Sequence, residues 1–543
     1  MPAKVKRPLP EENEAVQDDA TPSKRLKTAK TLGVDERPVN GVSASPEPIT
    51  ETAEDEEDTS VEDAPVPVLD DLYLDTVNRS MLEFDFEKVC SVTVSNLNVY
   101  GCLVCGKYFS GRGKSTPAYA HSLDQDHHVY INLQTLKVYI LPENYEVKSA
   151  ALDDIKYVVN PKFTKEQVVK MDKNNEEKYT LANDKYLPGM IGLTPFLTSS
   201  GFMGINNLKA NDYMNVIIQL LTHVPPLRNF FILENLEGRS ELVKRFSLIT
   251  RKIWNPRAFK GHVSPHEFLQ QVMATTKNHF RTDVQGDPAE FLTRLLNDLH
   301  KQLGGNPKKQ GSSIIYKLFQ GQVHMQSQEI LVGGGVGDEG RESRLTFVPG
   351  RAIVDRDVQF LILTLDLPPP PLFQDEIDKN IIPQVDIFSL LAKYDGRTSQ
   401  VHYSSYIVSN MQELAGERRR FKISKLPPYL IFHIKRLKKN EFDVVEHNPT
   451  IVTFPINSLD MKDYAYSFAV PPGKSTMYDL IGNVSLEAIT TPGGEEKHIY
   501  RAQVKDFSRD KWFNIQDLLV EELEKERMQL AESCIQIWQQ QKK

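Results

Sequence analysis

Apolar positions recur along this chain with two different periods, and the change of period marks out its elements. From Met214 to Leu221 and from Ala289 to Leu299 they return every three to four residues, with Asp or Asn just ahead, which predicts two helices. Asp212, immediately before Tyr213-Met214-Asn215-Val216, is expected to cap the first of them, a contribution of about 1 kcal/mol. The runs Phe360-Leu361-Ile362-Leu363-Thr364-Leu365 and Tyr429-Leu430-Ile431-Phe432 are short and continuously apolar, which predicts buried strands. In the stretch Asp517–Gln541, Leu519, Leu523, Leu530, Cys534 and Trp538 share one face at helical spacing, predicting a C-terminal helix packed on the body.

Polar composition divides the chain further. Residues 1–70 hold 8 Lys/Arg against 17 Asp/Glu and little that is aromatic, so they cannot offset their own ordering entropy and are expected to be a disordered acidic tail. Inside that tail, Lys4-Val5-Lys6-Arg7 and Lys24-Arg25-Leu26-Lys27 are candidate nuclear-import signals. A compact Cys/His-rich unit is expected over 71–160, a linker rich in Lys and Asn over 161–186, and a large domain over 187–543. Gly333–Gly340 reads as a flexible loop and Pro368–Pro371 as a stiff one.

The whole chain carries −8, and the tail alone accounts for −9, so the folded part is nearly neutral. That balance argues against a protein whose main work is gripping phosphates. No run of about 18 apolar residues is present, so no membrane helix is expected. The opening residues lack the apolar core of a secretory signal. Four cysteines in 543 residues point to a reducing compartment rather than a disulfide scaffold.

Three of those cysteines lie close together. Cys102 and Cys105, followed by His121 and His127, have the ligand types and spacing of a zinc site. Four protein ligands leave no position for water, so the ion would be structural. His128 is an alternative to His127, and Cys90 a less favoured further ligand.

The stretch from Cys102 to Tyr139 resembles the ubiquitin-protease-type zinc finger. Cys90 has no CxxC partner and Pro117 stands where a further histidine would align, so the resemblance implies one zinc and not two. Lys107 replaces the arginine with which some members hold the free ubiquitin C-terminus, so recognition of that tail by the finger is not expected, while binding of ubiquitin at the cleft stays open. Five later segments resemble the boxes of ubiquitin-specific proteases. They are Gly204–Gln219, Asp287–His300, Leu426–Arg436, the run from Tyr478, and Lys511–Asp517. Together they imply an α+β fold: a small zinc finger followed by a papain-like protease domain with thumb, palm and metal-free fingers.

The same resemblance implies that the chemistry is lost. Asp212 stands in place of the nucleophilic cysteine, Ile499 in place of the base and Gln516 in the third position, with His498 one residue away. Ala210 replaces an asparagine that would stabilise the oxyanion, a loss of about a hundred- to a thousandfold by itself. The combination is similar to the tri-snRNP-associated ubiquitin-protease-like group of the spliceosome. That group implies a nuclear, non-catalytic factor contacting tri-snRNP proteins in pre-mRNA splicing. Arg418-Arg419-Arg420 and Lys435–Lys439 are candidates for contact with the RNA backbone.

Overall fold

The structure is a computed structural model that describes residues 73–173, 201–332, 345–347, 352–369, 382–403, 414–439, 445–470, 473–490 and 496–542. The acidic tail with its basic clusters, residues 174–186 of the expected linker, the 333–340 loop and Pro370–Pro371 lie outside the described residues.

The first unit is built on a five-stranded antiparallel sheet in the order β2-β1-β3-β4-β5. Its strands are β1 (Val99–Cys102), β2 (Tyr108–Ser110), β3 (Val129–Asn132), β4 (Val138–Ile140) and β5 (Tyr145–Val147). Helix α1 (Pro117–Gln125) opens on a proline, whose missing N–H costs nothing in a first turn. Helix α2 (Asp153–Val159) closes the unit and buries Ile155 and Val159 against the sheet. Within the stretch expected to link the units, Lys165–Met171 forms α3, started by a reciprocal capping box between Thr164 and Gln167. Its Val168 enters the core of the large domain, and Asp172 just beyond it grips buried Arg228 through two bonds of 2.9 and 2.7 Å.

The large domain sets a helical layer against a long sheet. The helices are α4 (Asp212–Thr222), α5 (Pro225–Leu233), α6 (Glu241–Ile253), α7 (His266–Thr275) and α8 (Pro288–Gln302). Helix α4 is buried along its whole length, which is why its sequence is apolar on nearly every side. It lies so close to the sheet that a Cβ on Gly482 would come within 2.4 Å of the Leu220 side chain. Among the described residues no single helix is long and apolar enough to cross a membrane.

The sheet runs β11-β15-β24-β20-β21-β22-β23, with β19 beside β20. These strands are β11 (Leu363–Asp366), β15 (Tyr429–Lys435), β19 (Leu459–Asp460), β20 (Lys474–Thr490), β21 (Glu496–Asp506), β22 (Lys511–Gln516), β23 (Leu519–Leu523) and β24 (Glu532–Lys542). A second sheet projects from it in the order β10-β8-β14-β13, with β9 beside β8. Its members are β8 (Gly321–Val332), β9 (Leu345–Phe347), β10 (Val354–Phe360), β13 (Asp395–Tyr403) and β14 (Leu414–Lys425). Three two-stranded pairs complete the set: β6 (Gly204–Ile205) with β7 (His262–Val263), β12 (Gln384–Asp386) with β18 (Ile451–Thr453), and β16 (Leu437–Lys439) with β17 (Val445–His447).

Three expectations from the sequence need correction. Asp517–Gln541 is not a helix: it holds β23, one helical turn at Lys525–Met528, and β24. Strand β24 pairs with both β15 and β20, and its residues from Ser533 to Trp538 are buried on both faces, so they show no polar–apolar alternation to mark a strand. Leu519 and Leu530, counted on the supposed helix face, are exposed. The run Phe360–Leu365 is broken at Leu361-Ile362, so that Phe360 ends the projecting sheet and Leu363 begins the long one. Finally, Asn211 rather than Asp212 occupies the cap position of α4.

The zinc-finger-like unit is clamped to the large domain, and both belong to one compact unit from Val68 onward. Asp85 accepts from Lys252 Nζ at 2.6 Å and from the Ser264 N–H at 3.0 Å, while Lys252 also donates to the Phe84 carbonyl at 3.1 Å. Lys260 pairs with Glu83, and Phe259 from the large domain is buried inside the core of the smaller one.

Candidate functional site

At the cleft between helices and long sheet, the local sequence builds a network of side-chain amides. Asn211, at the start of α4, accepts from the Leu208 N–H at 2.6 Å and donates to Asn215 Oδ1 at 2.9 Å, so its side chain does not cap the helix. Asn215 Nδ2 reaches Asp517 Oδ1 at 2.8 Å, and Asn207 Nδ2 reaches Asp517 Oδ2 at 2.9 Å. Asp517 sits in a left-handed conformation with φ 50°, and Gly204 lies so near that a Cβ there would meet Leu518 Cα at 2.7 Å. That close approach of two backbones, possible only at glycine, brings the turn after β22 against the start of α4.

Asp212 is the first residue of α4 and is buried. Gln285 Nε2 donates to its Oδ2 at 2.6 Å and to the His498 carbonyl at 2.8 Å, tying α4 to β21 across the cleft. Burial pushes the Asp212 carboxyl above the usual range, and the Gln285 bond opposes that rise. Ile499 lies opposite Glu487 on the β20–β21 ladder. Gln516 accepts from Arg501 Nε at 3.0 Å, and Arg501 also pairs with Glu487 at 2.6 Å. The first position is thus engaged by an amide and the third by a guanidinium, while Ile499 sits in the β20–β21 ladder opposite Glu487.

Beside this cleft the N-terminus of α8 and the strands β15 and β24 enclose a cavity of about 190 Å³, lined among others by Asp287, His433, Arg436, Tyr500 and Cys534. The Arg436 guanidinium is buried and donates to the carbonyls of Ser533, Thr450 and Asn448 at 2.7, 2.8 and 3.0 Å. Cys534, expected on a C-terminal helix, is instead a buried β24 residue, and burial pushes its thiol up to about 12.

Sequence reading missed Gln285 and Asp517 as organisers of the cleft. The signal for the first was there: a glutamine two residues ahead of Asp287, on the loop before α8.

In the smaller unit Cys102, Cys105, His121 and His127 converge, with one potential ligand atom from each lying within 4.8 Å of the others. Cys105 Sγ is 3.4 Å from His121 Nε2, which is 3.1 Å from His127 Nδ1. The bond shared with Cys102 brings the Cys105 thiol down to about 4, and the same bond raises Cys102. Two sulfurs sharing a proton beside two imidazoles are a donor set that suits a divalent zinc ion. His128 is engaged elsewhere: its Nδ1 lies 2.7 Å from the Leu141 carbonyl and its Nε2 2.9 Å from Asp126. Cys90 lies outside the cluster, its sulfur accepting from the N–H groups of Val92 and Thr93 at 3.4 Å each.

The Asp212 carboxylate gives a pH prediction. Its folded pKa is raised, so the unfolded chain ionises first as pH climbs from near the ordinary value of 3.8, and stability is lost over that rise. Asp212→Asn lacks this titration. Its unfolding free energy minus that of the natural protein should increase from about pH 4 to pH 7 in urea titrations. A flat or falling difference would contradict the assignment of Asp212 as a buried carboxylate.

Comparison with known proteins fits this geometry. Residues 203–538 match the family described as ubiquitin carboxyl-terminal hydrolase, and residues 89–152 the one described as Zn-finger in ubiquitin-hydrolases and other protein. Over 472 residues the chain is 46% identical to the "Probable mRNA-splicing protein ubp10" of Schizosaccharomyces pombe, covering 86% of this chain and 88% of that protein. It is 42% identical over 475 residues to the Homo sapiens protein "Ubiquitin carboxyl-terminal hydrolase 39", covering 86% and 79% respectively. A solved structure described as "Crystal structure of an essential yeast splicing factor" superposes with a TM-score of 0.63 at 28% identity, over 87% of this chain and 100% of that one. With its zinc-finger unit, its papain-like α+β domain and these relatives, the chain belongs to the ubiquitin carboxyl-terminal hydrolase family.

Proposed function

We propose that this chain is a non-catalytic factor of pre-mRNA splicing that works in the nucleus by binding spliceosomal proteins, promoting assembly or stability of the U4/U6.U5 tri-snRNP. The kinship with splicing factors supports the role in splicing. The observation that carries the non-catalytic part is the Gln285 bridge, because it fills the nucleophile position with a hydrogen-bonded carboxylate and ties it to β21. Acyl transfer needs a nucleophile next to a base, and Ile499 offers no proton acceptor. Cys102, Cys105, His121 and His127 would hold one zinc ion, which would cross-link β1, α1 and the segment after it and leave no open position for substrate.

The candidate RNA contacts divide on the structure. Within Arg418-Arg419-Arg420 the side chains alternate across β14, and Arg419 is paired with Glu417. Arg436 of the second run is buried on backbone carbonyls. The pairing of Arg419 and the burial of Arg436 support protein surfaces rather than an RNA backbone as the partners.

Reaction with ubiquitin carrying a thiol-reactive C-terminal group, beside an active relative, tests the reading. No adduct and no hydrolysis are expected, since the Cys534 thiol is buried and neutral. Association with the tri-snRNP should survive Asp212→Ala. Ubiquitin hydrolysis by the natural protein that vanished in Asp212→Ala would overturn the proposal. A second reading, a non-cleaving receptor for ubiquitin or a ubiquitin-like protein, draws on the cavity beside Asp287 and Arg436. No binding in a titration to about millimolar ubiquitin would discard it.

A further inference from the structure

Among the described residues, the sheet β10-β8-β14-β13 ends in an edge that no other strand covers. Strand β10 spans seven residues, about 23 Å at the usual rise. It pairs with β8 through seven consecutive residues without irregularity, and among the described residues it has no neighbour on its other side. Its first six residues are exposed, including Val354 at 45% and Val358 at 46%.

Soluble proteins ordinarily blunt such an edge with bulges, prolines, lysines or a very short strand. The other edges here do so. Strand β13 carries a register irregularity between Asp395 and Ser399, β11 has only four residues, and β23 only five. Strand β10, Val354-Asp355-Arg356-Asp357-Val358-Gln359-Phe360, has no proline, no lysine and no bulge.

We propose that β10 is a docking edge that takes up an extended segment of a partner protein as an additional strand, a segment alternating basic and apolar residues. The alternation follows from the two faces of β10. Val354 and Val358 lie on one face with Arg356 between them, and Asp355 and Asp357 lie on the other. On that acidic face the His324 ring of β8 lies beside both carboxyls, its Nδ1 3.0 Å from Asp357 and its Nε2 3.5 Å from Asp355. Arg420 and Lys422 stand one strand further, opposite Gln326 and His324, about 10 Å from the acids. The outer margin is therefore acidic on one face, and on the other it carries two exposed valines flanking Arg356. An incoming strand meets it best with lysine or arginine on the first and valine-like side chains on the second.

A second copy of this chain is a poor occupant. Antiparallel self-pairing centred on Arg356 would set Arg356 against Arg356 and each Asp355 against an Asp357, like charges directly opposed. This inference does not depend on whether the cleft is catalytic.

The test is backbone hydrogen exchange of the full chain with two probe peptides. One is a nine-residue peptide alternating lysine and valine, the other the same peptide with glutamate for lysine. The lysine peptide should slow exchange in residues 354–360 and bind about tenfold more tightly than the glutamate peptide, the effect of about two opposed charge pairs. The exposed double substitution Asp355→Lys/Asp357→Lys should reverse the preference, and Val358→Lys should abolish protection by either peptide. Equal affinity for both peptides, or protection that spares β10, would overturn the proposal. So would β10 protection that grew with protein concentration in the absence of peptide, which would identify the occupant as a second copy.

Discussion

Cys102→Ser is expected to remove zinc from the purified protein and to unfold the sheet β1–β5. Cys102 is fully buried, packed with Tyr100, Phe109 and Tyr130 in a small cluster separate from the main core of its unit. A cluster of that size contributes little by itself, whereas a structural zinc ion binds with an apparent free energy of about 10 kcal/mol or more, most of which becomes folding free energy. Metal content measured by elemental analysis should fall from one ion per chain to none. His127→Ala should lower it as well, while His128→Ala and Cys90→Ser should leave it unchanged. The contrast between His127 and His128 is the sharp part, because the two are adjacent and only the hydrogen bonds of His128 to Leu141 and Asp126 separate their roles. Retention of zinc by His127→Ala with loss in His128→Ala would reverse the assignment.

Asp85→Ala should cost about 3–5 kcal/mol, the usual penalty for leaving one partner of a buried ion pair without the other. The Lys252 ammonium would keep only the Phe84 carbonyl, and the Ser264 N–H would lose its acceptor. Lys252→Met should lose less, since its stem can stay packed. Combining the two should cost less than Asp85→Ala alone, because no unpaired ammonium is then left buried, the signature of direct coupling. In calorimetry the natural protein should melt the finger and the large domain together, and Asp85→Ala should separate them into two transitions. One unchanged transition in Asp85→Ala would mean that Phe259 and the surrounding apolar contact hold the joint without the ion pair.

Much of the large domain was legible from periodicity. Helices α4 and α8 and strand β15 lie where apolar spacing puts them, with ends differing by a few residues. The C-terminal strand was misread for a physical reason. Cys534 and Trp538 lie on a strand buried on both faces, which shows no alternation. Leu519 and Leu523 belong to the edge strand β23 and Leu530 to the exposed connection, so the helical spacing of the five joins residues of separate elements. Asp212 was misplaced by one residue because Asn211 has the better claim to the cap position, even though its side chain bonds to Leu208 and Asn215 and caps nothing. The Gln285 bridge joins residues 73 and 213 positions apart, a separation that no local pattern encodes.

By itself the sequence carried what is written locally: four zinc-type residues at short spacing, segments resembling the family boxes in order, and an aspartate where that resemblance puts a thiol. Residue identity and spacing along one turn or one strand are enough for such statements. Only the tertiary structure decided which of two adjacent histidines faces the cysteines, what holds the Asp212 carboxylate, and that Cys534 is sealed in a strand. It alone showed that, among the described residues, β10 pairs on one side only. Those outcomes depend on which distant backbones approach one another, at Gly204 and Gly482 for instance, and on which polar groups are buried when they do.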